Sequence, residues 1–225
     1  AYKAVDGIAS LERIDVVGEK VNYSSVDGIL TDKDEKTVIY CPRGRTADVT
    51  LPNTVTEIGN GAFGNCTLIE NVSIPATVTT IRDEAFMGCS DLASLTFGGD
   101  ENDNALSIGQ AAFYKAGKLE KVTLPANLTH IGQYAFYSAA LKEVTVGSVG
   151  VEDGTLDFAD SAFGSIPLAG STSGFAVTKL TLGKDTPLIG ISAVFGYKIE
   201  TVVLDKANKN YFIDSDGALY SADKT

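Results

Sequence analysis

The chain has 225 residues, 44% of them hydrophobic, and a formal net charge of −11. This composition is that of a folded domain and excludes a disordered chain. No apolar run approaches the roughly 18 residues that span a bilayer, so we expect no membrane insertion in this segment. Lysine and arginine are too few and too scattered for a nucleic-acid partner, and a single histidine, His130, disfavours acid–base catalysis.

The first fifty residues contain the pattern of a β-hairpin. Asp27-Gly28 separates two short apolar runs, and the polar stretch 31–37 leads into Val38-Ile39-Tyr40. An Asp-Gly pair between apolar runs favours a tight hairpin turn. We therefore predict that residues 1–50 form an N-terminal β-hairpin region that caps the segment after it.

A motif running from an isoleucine to an alanine–phenylalanine pair recurs through residues 51–206. Its six copies begin at Ile58, Ile81, Ile108, Ile131, Phe158 and Ile189. Successive copies are 23, 27, 23, 27 and 31 residues apart, which indicates a 23-residue unit with insertions of four, four and eight residues. A fixed period of this length is typical of solenoids.

Each unit also contains an alternating apolar run, as in Ile69-Val72-Ile74, which predicts a short β-strand with one buried face. The Ala-Phe segment is too short for a long helix and predicts one helical or 3₁₀ turn that buries its phenylalanine. One unit cannot bury its own apolar face, so the units must stack. We predict a β-dominated solenoid of the α/β type with about six rungs.

The hairpin pattern returns at the C-terminus. Residues 211–220 repeat the Asp-Gly turn at Asp216-Gly217. The second copy of the pattern ends where the first copy continues into a further strand. We expect residues 207–225 to begin a second hairpin element that is cut in mid-module.

The repeat consensus Leu-Pro-x-x-Val-Thr-x-Ile-Gly-x-x-Ala-Phe-x-x-Cys, seen best at 51–66 and 74–89, closely resembles the BspA-like (Treponema pallidum type) leucine-rich repeats. The resemblance implies a curved leucine-rich-repeat solenoid from a secreted or surface-exposed bacterial or protist protein. It also implies adhesion to host matrix proteins or to other cells, and it supplies no catalytic residues.

The outward positions of the rung strands are the best candidate ligand-binding surface, because alternate residues of a strand share one face. One column precedes the last apolar residue of each strand, and the other stands two residues earlier. The candidate residues are Asn71, Ser73, Ser94, Thr96, Lys121, Thr123, Glu143, Thr145, Lys179 and Thr181. The alternative is that threonine merely favours strands and keeps the face soluble.

The three cysteines are too few for a disulfide scaffold. Cys66 and Cys89 occupy equivalent positions on neighbouring rungs, within disulfide reach. We favour buried free thiols, because Ala116 and Ala139 fill the same position in later copies. No Cys/His cluster suggests zinc, and we expect no metal and no cofactor.

Acidic residues occur near both Asp-Gly turns and in one insertion. Calcium needs six to eight oxygens in one place, and turn chemistry explains these residues more simply than a calcium site. The residues are Asp32, Asp34, Asp214 and Asp216, with Asp100, Glu101 and Asp103 in the insertion. His130 lies in a short exposed segment, and we expect a surface histidine without a catalytic role.

The rung insertions at Gly98–Asn104, Gly147–Gly154 and Pro167–Gly174 are either edge loops that bind or mobile spacers. The leading hypothesis is a non-catalytic, extracellular or cell-surface adhesion segment. Its sheet face and edge loops would bind a surface protein or glycan of the host or of a neighbouring cell. The alternative is a structural spacer, without a ligand of its own, in a larger surface protein.

Overall fold

The computed structural model describes residues 5, 7–19, 22–98, 105–147, 157–159, 161–163, 177–184, 186, 199–216 and 218–222. Seventeen β-strands form within these residues. In chain order they are β1 (Tyr23–Val26), β2 (Ile29–Asp32), β3 (Thr37–Tyr40), β4 (Val49–Thr50), β5 (Glu57–Ile58), β6 (Asn71–Ile74), β7 (Thr80–Ile81), β8 (Ser94–Phe97), β9 (Leu106–Ile108), β10 (Lys121–Leu124), β11 (Leu128–Ile131), β12 (Glu143–Val146), β13 (Asp157–Phe158), β14 (Lys179–Leu182), β15 (Thr201–Leu204), β16 (Tyr211–Ile213) and β17 (Leu219–Ser221).

Sheet 1 has eight strands in the order β1-β2-β3-β5-β7-β9-β11-β13. The first three strands are antiparallel, as the hairpin prediction requires. From β3 onward every pairing is parallel and joins one turn of the chain to the next. Sheet 1 therefore carries the hairpin region directly into a parallel β-solenoid.

Sheet 2 consists of the longer rung strands and is divided into two parts. Sheet 2a contains β4-β6-β8, and sheet 2b contains β10-β12-β14-β15. All pairings in both parts are parallel. Each turn therefore contributes one strand to each sheet, whereas the sequence predicted a single strand per rung. The C-terminal strands β16 and β17 pair with each other in antiparallel fashion, as predicted for a second hairpin.

The Ala-Phe segments form a third side of the solenoid, which we call the turn side. The prediction of helical or 3₁₀ turns is wrong for the described residues, because no helix forms there. Alternate amides bond in different directions: Gly64 N donates to Gly61 O within the turn, and Phe63 N donates to Ala85 O of the next turn. Since every second amide is used between turns, the segment cannot complete a helix.

The phenylalanines of successive turns form one buried column. The rings of Phe63, Phe86, Phe113, Phe136 and Phe163 stack with centroid distances of 4.6, 5.0, 4.8 and 4.9 Å. This distance matches the separation of hydrogen-bonded strands, about 4.8 Å, so the rings and the sheets share one period. The predicted stacking of units around a continuous core is confirmed.

The structure is a β-solenoid of about five turns, one for each stacked phenylalanine. The sequence predicted about six rungs. The motif of the sixth copy, at 189–195, lies outside the described residues, although β15 still extends sheet 2b by one strand. The predicted domain limits at 50 and 206 remain predictions.

Arg45 attaches the N-terminal hairpin to the first turn. Its guanidinium is buried and donates to the carboxylate and the main-chain oxygen of Asp27 at the β1–β2 turn, and to the main-chain oxygen of Asp48. A buried guanidinium requires such partners, because its desolvation costs several kcal/mol. The sequence predicted the cap but not this contact.

Candidate binding surface

The two predicted columns lie in register on the outer face of sheet 2. Ser73 pairs with Thr96 across sheet 2a, and Thr123 pairs with Thr145 and then Thr181 across sheet 2b. The other column follows the same register from Asn71 to Ser94 and from Lys121 through Glu143 to Lys179. All ten candidate residues are exposed or half-buried, while the residues between them are buried.

A small charge network lies on sheet 2b. Glu143 accepts from Lys121 at 3.0 Å and from Lys179 at 3.3 Å, so one carboxylate joins three neighbouring strands. The hydrogen bond from Lys121 lowers the pKa of the Glu143 carboxyl, and the bond from Lys179 adds to the lowering. This part of the face is therefore a polar surface with one net positive charge.

A cleft of about 580 Å³ lies where sheet 2a gives way to sheet 2b. Its polar rim includes Thr96, Lys121 and Thr123, three of the predicted site residues. Its floor includes Leu95 of the buried core and Phe97, which packs partly buried against that core. An apolar floor with a few polar groups at the rim is the usual composition of a ligand site.

The insertions that the sequence analysis singled out fall mainly outside the described residues. Residues 99–104, 148–154 and 167–174 are among those that the structure does not describe. Two flanking glycines, Gly98 and Gly147, are described and line the cleft in sheet 2. The choice between binding loops and spacers remains open.

The three cysteines are free and buried, as predicted for Cys66 and Cys89. Cys89 Sγ donates to the main-chain oxygen of Phe63 at 3.1 Å, and Cys66 Sγ lies 3.5 Å from the main-chain oxygen of Cys41. Burial raises the pKa of Cys89, and a hydrogen bond with Cys66 raises the pKa of Cys41. Such thiols are small hydrophobic residues of the core and not nucleophiles.

Turn chemistry accounts for two of the predicted acidic residues. Asp32 Oδ1 accepts from the main-chain amides of Lys36 and Thr37. Asp214 Oδ1 accepts in the same way from Asp216 and Ala218. Within the described residues, no group of three or more metal-ligating side chains is close enough to hold an ion; Asp100, Glu101 and Asp103 lie outside them.

His130 belongs to strand β11 of sheet 1, where the sequence predicted only a short exposed segment. It is half-buried, and its Nδ1 lies 2.8 Å from Asp157 on the neighbouring strand. His130 is one of a column of outward residues that pair in register across sheet 1. The sequence did not predict this column, which consists of Thr37, Glu57, Thr80, Ser107, His130 and Asp157. The recurring Thr-x-Ile motif, as in Thr129-His130-Ile131, indicates these strands.

A tyrosine cluster on the turn side was also missed. Tyr114 and Tyr137 occupy the position after the buried phenylalanine in successive turns, and their ring centroids are 5.8 Å apart. Tyr134 contacts Tyr137 edge-on at 5.3 Å. The period of 23 residues does not indicate this cluster, because the equivalent residue of the first turn is Gly64.

A family model for the BspA-type leucine-rich repeat region matches residues 40–163 in six copies, which is more than half of the chain. The chain belongs to this family. The predicted resemblance is therefore confirmed, and it accounts for the regular alternation of strand and turn. Leucine-rich repeat families are typically non-catalytic. No curated protein shows significant similarity to the chain.

Two of the similar solved structures have a TM-score above 0.5 and show the same fold. The pneumococcal vaccine antigen PcpA is 17% identical and covers 87% of this chain and 50% of its own, with a TM-score of 0.62. A leucine-rich cell surface protein from Faecalibacterium prausnitzii is 19% identical and covers 82% of this chain and 40% of its own, with a TM-score of 0.54. The chain thus spans half or less of these proteins. Among the described residues, no helix is long and apolar enough to cross a membrane.

Proposed function

We propose that this BspA-type repeat segment is a non-catalytic recognition element of a surface-exposed or secreted protein. Two structural neighbours support this setting, one described as a vaccine antigen and the other as a cell surface protein. The partner would be a surface protein of the host or of a neighbouring cell. Extended faces of solenoids are the usual binding surfaces of such folds.

The cleft between β8 and β10 is the observation that carries the proposal. It lies within the two predicted columns and combines an apolar floor at Leu95 and Phe97 with a polar rim at Thr96 and Thr123. β8 ends sheet 2a and β10 begins sheet 2b, but the two strands stay in contact, and the rings of Phe86 and Phe113 in the same two turns are 5.0 Å apart. A ligand must therefore lie over the cleft, because no strand fits between β8 and β10. The proposed ligand is a protein segment that places apolar side chains on Leu95 and Phe97.

A pair of rim substitutions tests this function. Thr96→Arg and Thr123→Arg each place a long cation over the cleft. Attachment is measured to a panel of immobilised matrix proteins and cultured epithelial cells. We expect it to fall at least about tenfold, equivalent to about 1.4 kcal/mol. Thr37→Arg is the matched control, because Thr37 is a half-buried strand residue of sheet 1. Surface plasmon resonance measures the binding, and circular dichroism verifies the fold.

Two results would contradict the proposal. One is unchanged attachment of both rim variants when the wild type binds saturably. The other is the absence of saturable binding by the wild type to any protein or cell in the panel, which is the behaviour of a spacer without its own ligand.

A further inference from the structure

A second concave surface runs along the corner between sheet 1 and the turn side, on a different side of the solenoid from the cleft. It is a groove of about 450 Å³ that crosses all five turns, from Asn60 in the first to Ala159 in the fifth. Four strand spacings of about 4.8 Å give it a length of roughly 19 Å. We call this surface the corner groove.

The repeat itself builds the groove. One wall is the outer column of sheet 1, with Thr80, Ser107 and His130. The other wall is formed by equivalent residues two positions after the first residue of each motif: Asn60, Asp83, Gln110 and Gln133. Between the walls stand small residues, including Gly109, Gly132 and Ala159. The main chain of the preceding turn lies against the two glycines, where a Cβ would come within 2.7 Å of Asp83 N or 2.6 Å of Gln110 N.

At the position that Gly109 and Gly132 occupy in later turns, the second turn has Arg82. It is the one large side chain at this position among the lining residues. It is held by Glu57, which accepts from Nε at 2.8 Å and from Nη2 at 3.1 Å. Its charge is therefore paired with Glu57, while about half of the side chain stays exposed. Asp83 is also partly engaged, because its Oδ1 accepts from the main-chain amide of Gln110 at 2.8 Å.

The amide groups of the outer wall remain available to a ligand. Within the described part of the chain, Gln110 and Gln133 hydrogen-bond through their main chain only: Gln110 O accepts from Glu84, and Gln133 O accepts from Ala111. Each primary amide offers two donors and one acceptor, and the neighbouring hydroxyl groups offer both roles.

We propose that the corner groove binds a short, linear, neutral oligosaccharide along the solenoid axis. Sugar hydroxyls are both donors and acceptors, and the amide, hydroxyl and imidazole groups of the two walls match that requirement. The lining contains too few apolar and aromatic side chains for a peptide anchor, since protein hot spots are rich in tryptophan, tyrosine and arginine.

Charge selects against acidic glycans. Glu57, Asp83 and Asp157 at or beside the groove outnumber the single cation Arg82, and the whole chain carries −11. A negative surface repels an anionic ligand over the Debye length. Sialylated or uronic-acid oligosaccharides should therefore bind more weakly than neutral chains of the same length.

The test uses the whole chain and defined oligosaccharides. Cellotetraose, laminaritetraose, chitotetraose and a sialylated oligosaccharide are titrated by isothermal calorimetry at moderate salt. We expect saturable binding of at least one neutral chain and weaker binding of the acidic one. The double variant Gln110→Ala/Gln133→Ala should bind at least about tenfold more weakly, because it removes two sets of hydrogen bonds. Ser107→Tyr, which fills the groove from sheet 1, should abolish binding.

Matched controls separate this site from the cleft in sheet 2. Thr96→Arg, on the other sheet, should bind the oligosaccharide as the wild type does. Both glutamines are exposed, so the double variant should retain the thermal midpoint of the wild type. The proposal is overturned if no neutral chain binds, if the acidic chain binds more tightly, or if the double variant binds like the wild type. None of these results bears on peptide binding at the cleft.

Discussion

Phe113 is the central ring of the stacked column. It is fully buried between Phe86 and Phe136, at centroid distances of 5.0 and 4.8 Å. Phe113→Ala would leave a cavity that the neighbouring turns cannot close, since each turn is fixed by its main-chain bonds to the next. We expect it to lower the free energy of unfolding by about 3–5 kcal/mol, and Phe113→Leu to lower it by less. Urea unfolding followed by circular dichroism measures both. Equal stabilities of Phe113→Ala and the wild type would contradict the stacked column.

The thiols offer a second measurement at this scale. Because a raised pKa keeps a thiol protonated and the thiolate is the nucleophile, Cys41 and Cys89 should be unreactive toward Ellman's reagent at pH 8 in the folded chain. All three thiols should react after unfolding in guanidinium without a reductant. Thr67→Cys, beside Cys66 and exposed, is the control that should react at once. Recovery of a single thiol from the unfolded wild type would instead reveal a disulfide.

At the level of the elements, the hairpin β1–β2 depends on Arg45. Arg45→Met removes the buried guanidinium from Asp27 and Asp48, and the loss of charged hydrogen bonds should speed amide exchange in residues 23–32 at least about tenfold. Arg13→Met is the control, because the Arg13–Asp15 pair is exposed and worth little. Hydrogen–deuterium exchange measures both variants. Equal exchange in the two would show that Arg45 does not anchor the hairpin.

The stacking elements could be predicted from the sequence because their signal is periodic. The interval of 23 residues and the Ala-Phe pair locate the buried column, and the alternation of Ile69, Val72 and Ile74 locates a strand of sheet 2 and its outer face. A period carries this information, since equivalent residues of stacked turns must lie one above another.

The conformation of the turns could not be predicted in the same way. In each of the first four turns, two residues of the turn side that are four positions apart have positive φ, and some are glycine or asparagine, such as Gly61 and Asn65, which favour that region. Others are not, including Glu84 at 58° and Tyr134 at 60°. Hydrogen bonds between turns hold these residues there, as when Glu84 N donates to Gln110 O, and no local pattern reports a bond across turns.

The corner groove could not be predicted because it depends on strands too short to show a period. Most parallel strands of sheet 1 contain two or three described residues, so alternation cannot be recognised in one copy. Only the comparison of copies, with Thr80, Ser107 and His130 at one position, reveals the outward column. The sequence located the cleft's rim residues but not the interruption between sheets 2a and 2b, which is a property of pairing.

At the scale of the whole molecule, one stack presents three sides with different chemistry. Sheet 2 has polar columns and a cleft with an apolar floor, sheet 1 ends in a polar groove, and the turn side displays tyrosines. On each side, equivalent outward residues recur once per turn. Substituting one of them in a single turn therefore alters that surface without disturbing the core. This arrangement permits separate ligands on one scaffold.

The fold and both binding surfaces depend on the stacking of successive turns around the phenylalanine column. Nuclear Overhauser contacts between selectively labelled phenylalanine rings test it directly, because the neighbouring centroids lie 4.6, 5.0, 4.8 and 4.9 Å apart. We expect contacts for Phe63–Phe86, Phe86–Phe113, Phe113–Phe136 and Phe136–Phe163, and none between Phe63 and Phe136. Missing contacts between neighbours, or contacts between rings two or more turns apart, would contradict it.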